Sequence, residues 1–218
     1  MTIGIIGKKL GMTHQFDSNG TAVPVTVIQA GPCVVIQKKT AEKDDYTAIQ
    51  LGFEDAKETR LNKPETGHFK KNSIPLKKIV KEIRVDNTDL GKYNVGDNVT
   101  VKDFEKCEYV DVIGTSKGRG FTGVIKRHNF HRPKQTHGTH EKFRHGGSLG
   151  CRFPQHVVKG KKMAGHFGSA QITTQSLKLL SIRPDDNVII VKGAIPGANK
   201  GIVIIRPAIR KKSLKKTA

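Results

Sequence analysis

Three groups of residues in this chain match patterns that can carry catalysis or bind a metal. Gly118-Arg119-Gly120-Phe121-Thr122-Gly123 spells G-x-G-x-x-G, the spacing that wraps a backbone around a pyrophosphate at a helix N-terminus. It follows a plausible strand, but Pro133 leaves little room for a helix and no parallel β–α alternation surrounds it. Gly146-Gly147-Ser148-Leu149-Gly150 fits G-x-S-x-G, where a nucleophilic serine needs a buried strand before it and a helix after it. Here Glu141-Lys142-Phe143-Arg144-His145 precedes it and Cys151-Arg152-Phe153-Pro154 follows, and no histidine comes after Asp185 or Asp186 to complete the order Ser, Asp, His. His128-x-x-His131 and His137-x-x-His140, with His145 and Cys151 nearby, are conceivable metal ligands. On a loop that spacing has no fixed geometry, and neither pair holds the glutamate of H-E-x-x-H. These histidines read better as groups that stack on bases or hydrogen-bond phosphates and 2′-hydroxyls. No catalytic residue, cofactor or metal is expected.

The dominant chemistry is electrostatic. The 218 residues carry 39 Lys+Arg against 19 Asp+Glu, a formal net charge of +20. The excess is concentrated between Gly114 and Gly165, where 12 Lys/Arg face one acid, Glu141. The cations are Lys117, Arg119, Lys126, Arg127, Arg132, Lys134, Lys142, Arg144, Arg152, Lys159, Lys161 and Lys162. With so few acids, internal ion pairs are not what these cations serve. The segment also holds 10 of the 23 glycines and six of the nine histidines, His128, His137, His140 and His145 among them. Phe121, Phe130, Phe143 and Phe153 are interleaved with the cations, as single-stranded or irregular RNA requires. RNA is preferred over DNA because no helix-turn-helix or zinc-finger pattern is visible. Lys159-Gly160-Lys161-Lys162 brings three cations together beside a glycine that lets a backbone come close, and Gly7-Lys8-Lys9 repeats the device near the N-terminus.

Elements that could position these residues follow from periodicity. Leu, Ile, Val and Phe make up nine of the 52 residues from 114 to 165, too few to offset the entropy of ordering without a partner. Elsewhere the chain is rich in Val and Ile, which together number 38 against 10 Leu and favour strands. Candidate strands are Thr2–Gly7, Thr13–Phe16, Ala22–Gln29, Cys33–Lys38, Tyr46–Phe53, Val80–Val85, Val99–Val101, Tyr109–Ile113, Ile172–Ile182, Asn187–Lys192 and Gly201–Arg206. The turn at Arg183–Asp186 pairs two of them as a hairpin, and Lys63–Lys78 can hold one short helix. The domains expected are a discontinuous body over 1–113 and 166–210, a basic Gly-rich extension over 114–165, and a basic tail over 211–218. No apolar run approaches the roughly 18 residues of a membrane span. The N-terminus is too short in apolar residues for a secretory signal. Cys33, Cys107 and Cys151 are odd in number and far apart, which speaks against a disulfide framework and fits a reducing cytosol.

Several motifs taken together resemble large-subunit ribosomal protein three in its bacterial form. They are Gly7-Lys8-Lys9-Leu10-Gly11-Met12-Thr13, Pro24–Ile28, Gly114–Phe121, Lys126–Phe130, Thr136-His137-Gly138, Gly147–Gly150, Lys159–Gly165 and Val191–Gly197. The resemblance implies a mainly β fold: a six-stranded translation-factor-like β-barrel with a long basic extended loop inserted. It implies an extension threading into large-subunit rRNA, with its tip, around His145–His156, approaching the peptidyl transferase centre. It further implies early action in subunit assembly, contact with ribosomal proteins fourteen and nineteen of the large subunit, and a ribosome-bound location in the cytoplasm or in an organelle. No membrane association and no homo-oligomer are expected. Cys151 stands where some relatives carry a methylated glutamine, so that modification is not expected here. Phe153-Pro154-Gln155-His156 replaces the usual Thr-Pro-Gly near the tip.

Overall fold

The computed structural model describes residues 4–211. Its strands are β1 (Ile5–Phe16), β2 (Ala22–Ala30), β3 (Cys33–Lys39), β4 (Ala48–Asp55), β5 (Lys77–Arg84), β6 (Asn98–Val99), β7 (Tyr109–Thr115), β8 (Phe121–Thr122), β9 (Gly165–His166), β10 (Gln171–Arg183), β11 (Val188–Lys192) and β12 (Ile202–Pro207). The mainly β expectation holds. The chain divides into two compact units, 1–115 with 171–218, and 116–170.

In the first unit β1, β12, β7, β10, β11 and β2 pair in that order, and β2 pairs back to β1, closing a barrel of antiparallel strands. Closure leaves no free edge around the ring. Side chains alternate as period-2 strands require: Val203 and Ile205, Ile189 and Val191, and Val110 and Val112 point into the core. A second sheet, ordered β5-β4-β3-β6, packs on the same core through Val35, Ile49, Leu51 and Phe53. Its other face meets Phe69 and Ile74 through Val34 and Ile36. Because both faces are covered, Cys33-Val34-Val35-Ile36 is a continuous buried run instead of an alternating one.

Phe69 comes from the longest helix among the described residues of this unit, Lys63–Lys71. Its start is set by Asn62, whose N–H donates to the Glu65 carboxylate at 2.9 Å, one half of a capping box. The helix thus fills the first part of the expected Lys63–Lys78 stretch, and Lys77 already belongs to β5. Two expected strands, Thr2–Gly7 and Thr13–Phe16, are one strand. A register shift between Lys9 and Gly11 absorbs the irregularity that separated them in the sequence. Thr2 and Ile3 lie outside the described residues, as do 212–218 of the expected tail. Val99–Val101 is shortened because Val101 opens a 3₁₀ turn that runs to Phe104. The expected hairpin across Arg183–Asp186 is present as β10 and β11.

The second unit begins and ends at one register point, since Thr115 and Gln171 are cross-strand partners in β7 and β10. Its two legs are tied at the base. Ser116 N–H donates to Ala170 O at 2.9 Å, Arg119 N–H to Phe167 O at 2.9 Å, and Phe167 N–H to Gly120 O at 2.9 Å. β8 and β9 extend the ladder through Phe121 opposite His166 and Thr122 opposite Gly165. This ladder draws 166–170, which the sequence reading put with the body, against 116–121. Gly168, at φ +80°, is required there: a Cβ would collide with the Lys117 carbonyl. Past the ladder come a short helix, Val124–His128, and a 3₁₀ turn, His140–Arg144. The remainder follows no regular element.

Candidate nucleic-acid interface

The two units differ first in what they bury. Of the described buried hydrophobic residues, only Val124 lies between 116 and 170. That short stretch instead exposes Phe121, Leu149, Phe153, Val157 and Val158, with Phe121 82% and Phe153 70% accessible. The ion pairs among the described residues all lie in the first unit. Among the described residues the inserted unit therefore offers both charge and apolar surface with no ion pair and almost no core of its own.

The expected RNA-binding residues separate into three groups. Lys117, Arg119, Lys126, Arg132, Lys134, His137, His140, Arg144, His145, Arg152, Lys159, Lys161 and Lys162 are exposed. Two of these cations sit over aromatic rings: the Arg119 guanidinium is 5.7 Å from the Phe167 centroid, and that of Arg152 is 5.9 Å from Phe153. Such pairs hold a flat cation and a ring ready for stacking. Phe130 and Phe143 are half-buried, so of the four phenylalanines singled out in the sequence, Phe121 and Phe153 are the exposed ones.

Arg127 and His128 form a second group, at the end of the short helix. The Arg127 Nη1 donates to Met163 O at 2.7 Å, and the His128 Nε2 lies 3.1 Å from the same oxygen. Together they bind one leg of the insertion to the other. Gly165 makes room for this clamp, because a Cβ there would stand 2.8 Å from the Arg127 Nη1.

Lys8 and Lys9 form the third group and are occupied within the body. The Lys8 ammonium meets Glu54 at 2.6 Å and holds its carboxyl below the usual carboxylate range. Lys9 is 7% exposed and donates to the carbonyls of Ile195 at 3.1 Å and Gly197 at 3.2 Å. The Gly-Lys-Lys device near the N-terminus thus works differently from Lys159–Lys162, whose cations are open.

The catalytic patterns have no matching geometry. Ser148 is exposed, its hydroxyl donates to Gly150 O at 2.8 Å, and the segment around it is neither strand nor helix. Gly118–Gly123 spans the ladder base and not a strand–helix turn of a βαβ unit. Among the described residues no cluster of three or more His, Cys, Asp or Glu is placed to hold a metal. Cys151 is exposed, with its Sγ 2.6 Å from Phe153 O. Cys33 is buried, which pushes its thiol up to about 12 and leaves it unreactive. No helix of the described residues is long and apolar enough to cross a membrane.

Sequence reasoning passed over Leu149, Val157 and Val158. The signal was present: apolar residues in a segment too poor in them to form a core have to face outward.

A family model described as ribosomal protein L3 matches residues 79–187. Among curated proteins, the chain is 47% identical to the "Large ribosomal subunit protein uL3" of Heliobacterium modesticaldum over 96% of this chain and 98% of that protein. It is 49% identical to the protein of the same name from Brachyspira hyodysenteriae over 99% of each chain. With that of Syntrophomonas wolfei it shares 48% identity over 95% of this chain and 97% of the relative.

Proposed function

The chain belongs to the uL3 family of large-ribosomal-subunit proteins, structural proteins and not enzymes, and from that membership we propose that its inserted unit is an rRNA-binding element. As a member, it is a structural constituent of the large subunit. The observation that carries the proposal is the make-up of 116–170: twelve Lys/Arg, one acid and a single buried hydrophobic residue. Such a segment gains its order from a polyanion that accepts the cations and from bases that cover the exposed rings.

The thirteen exposed Lys, Arg and His side chains are the proposed contacts. Arg127 and His128 shape the insertion, and Lys8 and Lys9 serve the body. The closed ring of six strands is read as the translation-factor-like barrel, a rigid anchor beside large-subunit rRNA. The stretch around His145–His156 is the proposed tip, directed at the peptidyl transferase centre, where it biases RNA conformation and leaves the chemistry to RNA. Early action in assembly, contact with large-subunit proteins fourteen and nineteen, and a ribosome-bound place in the cytoplasm complete the reading.

The test is salt-dependent binding to large-subunit rRNA. Each phosphate contact adds about 0.9 to the slope of log affinity against log salt. Lys161→Ala with Lys162→Ala is expected to lower that slope by about one to two and weaken binding at every RNA sequence alike. An unchanged slope would remove both lysines from the interface.

A further inference from the structure

The backbone ladder at the base of the inserted unit has two unlike faces. In β8 and β9, Phe121 stands opposite His166 and Thr122 opposite Gly165. Directly opposite residues share a face, and neighbours along a strand alternate. Phe121 and His166 therefore occupy one face, and Thr122 and Gly165 the other. The second face is backed. Thr122 is 7% exposed, and its hydroxyl donates to Arg119 O at 3.2 Å. Gly165 lies against the Arg127 guanidinium, which Met163 O holds at 2.7 Å.

The first face is open. Phe121 is 82% accessible and His166 is exposed. Among the described residues neither ring packs on another ring. The backbone under them is nevertheless held in place, by the bonds from Arg119 N–H to Phe167 O and from Phe167 N–H to Gly120 O. The two rings are thus presented side by side on a fixed support, with no protein group covering them. Such a surface binds a flat partner without first having to order itself.

The chemistry of the face identifies its occupant. A phenyl ring has no group that can read a base edge or bind a phosphate, so it meets RNA through the flat of a base. Inside a duplex those flats are covered by stacked neighbours, whereas an unpaired base can be turned out onto an aromatic side chain. The surrounding charge favours a nucleotide over an apolar protein side chain. The Arg119 guanidinium lies 5.7 Å from the centroid of Phe167, the residue next to His166, and that of Arg127 lies behind Gly165. Neither guanidinium has an acidic partner among the described residues. We propose that this face is a stacking platform for one unpaired nucleotide of large-subunit rRNA, with the base on the Phe121 ring, the His166 ring beside it and the Arg119 guanidinium toward its phosphate. The proposal rests on the RNA-binding reading of the inserted unit. It adds His166, which the sequence reading put with the body.

The experiment measures binding of the full chain to large-subunit rRNA across a salt series. Phe121→Leu keeps an apolar side chain and removes the aromatic face. It is expected to weaken binding about tenfold with the salt slope unchanged, because no phosphate contact is lost. Phe121→Trp is expected to bind as the parent does, and His166→Ala to weaken binding with the slope likewise unchanged. Parental affinity in the Leu or the His166 variant, or a loss that Trp shares with Leu, overturns the two-ring platform. The parent's salt-dependent binding would still support the RNA-binding reading. A parent chain without salt-dependent binding overturns both. A photo-reactive phenylalanine at position 121, irradiated in the complex with rRNA, is expected to join a nucleotide whose base is unpaired. An adduct within a helix, or none, overturns the platform.

Discussion

The barrel body and the inserted unit are drawn from one set of residue types, yet each resolves its needs in a different place. In the body apolar side chains meet one another, and the cations have partners close by. Lys8 finds Glu54, Lys77 finds Asp55, and Lys39 lies between Tyr46 and Glu82. In the insertion the backbone ladder and the Arg127 and His128 clamp set a shape, while Phe121, Phe153 and most of the charges face outward. A β-barrel stores its stability in burial. A segment such as this leaves its charges and exposed rings unburied, open to the RNA partner proposed for it. Such a segment remains compatible with a folded body because Thr115 and Gln171 are neighbours in the sheet, so its departure and return leave the barrel register intact.

Removing the insertion is the strongest way to break this comparison. Replacing 116–170 by an Asn-Gly turn between Thr115 and Gln171 joins two paired strands with the shortest favoured hairpin connection. The truncated chain is expected to keep a cooperative thermal transition and to lose rRNA affinity by about three or more orders of magnitude at moderate salt. Loss of the transition would show that the insertion is part of the core. Affinity within tenfold of the full chain would place the interface on the body.

Single truncations sharpen the contrast. Ile205 is completely buried, and Ile205→Ala is expected to cost about 2–5 kcal/mol in denaturant unfolding. Phe121 is a larger side chain but 82% exposed, and Phe121→Ala should stay within about 0.5 kcal/mol of the parent while weakening RNA binding. Equal costs at the two positions would erase the distinction.

The smallest effect concerns pH. Hydrogen bonding from Lys8 holds the Glu54 carboxyl below its ordinary value, so the folded state binds that proton less readily than the unfolded one. The resulting stability is present above the unfolded carboxyl's titration and is lost as pH falls through the depressed folded value. Glu54→Gln is therefore expected to flatten the stability profile on the acid side, as read by melts in a pH series. An unchanged profile would mean that the pair contributes nothing.

Most of the body was legible because its signals are local. Alternating Val and Ile and the turn at Arg183–Asp186 each act within a few residues. The β8 and β9 pairing was not legible, because Phe121 and His166 meet across a long stretch of chain that has no hydrophobic pattern. The same holds for the proposed interface. The types and density of the cations could be read directly, but the positions of Arg127 and His128 in a clamp depend on the carbonyl of Met163, far along the chain.

Composition and order alone determined that this protein is mainly β, strongly basic and unable to bury the segment from Gly114 to Gly165. Hydrophobic pattern and charge count are properties of neighbouring residues, and no fold can alter them. Tertiary structure alone decided which lysines are available. Gly7-Lys8-Lys9 and Gly160-Lys161-Lys162 look alike in the chain. One pair of lysines is tied to Glu54 and to the carbonyls of Ile195 and Gly197, and the other is open to solvent. The partners that make the difference are brought in from distant parts of the chain, and only the closed sheet places them there.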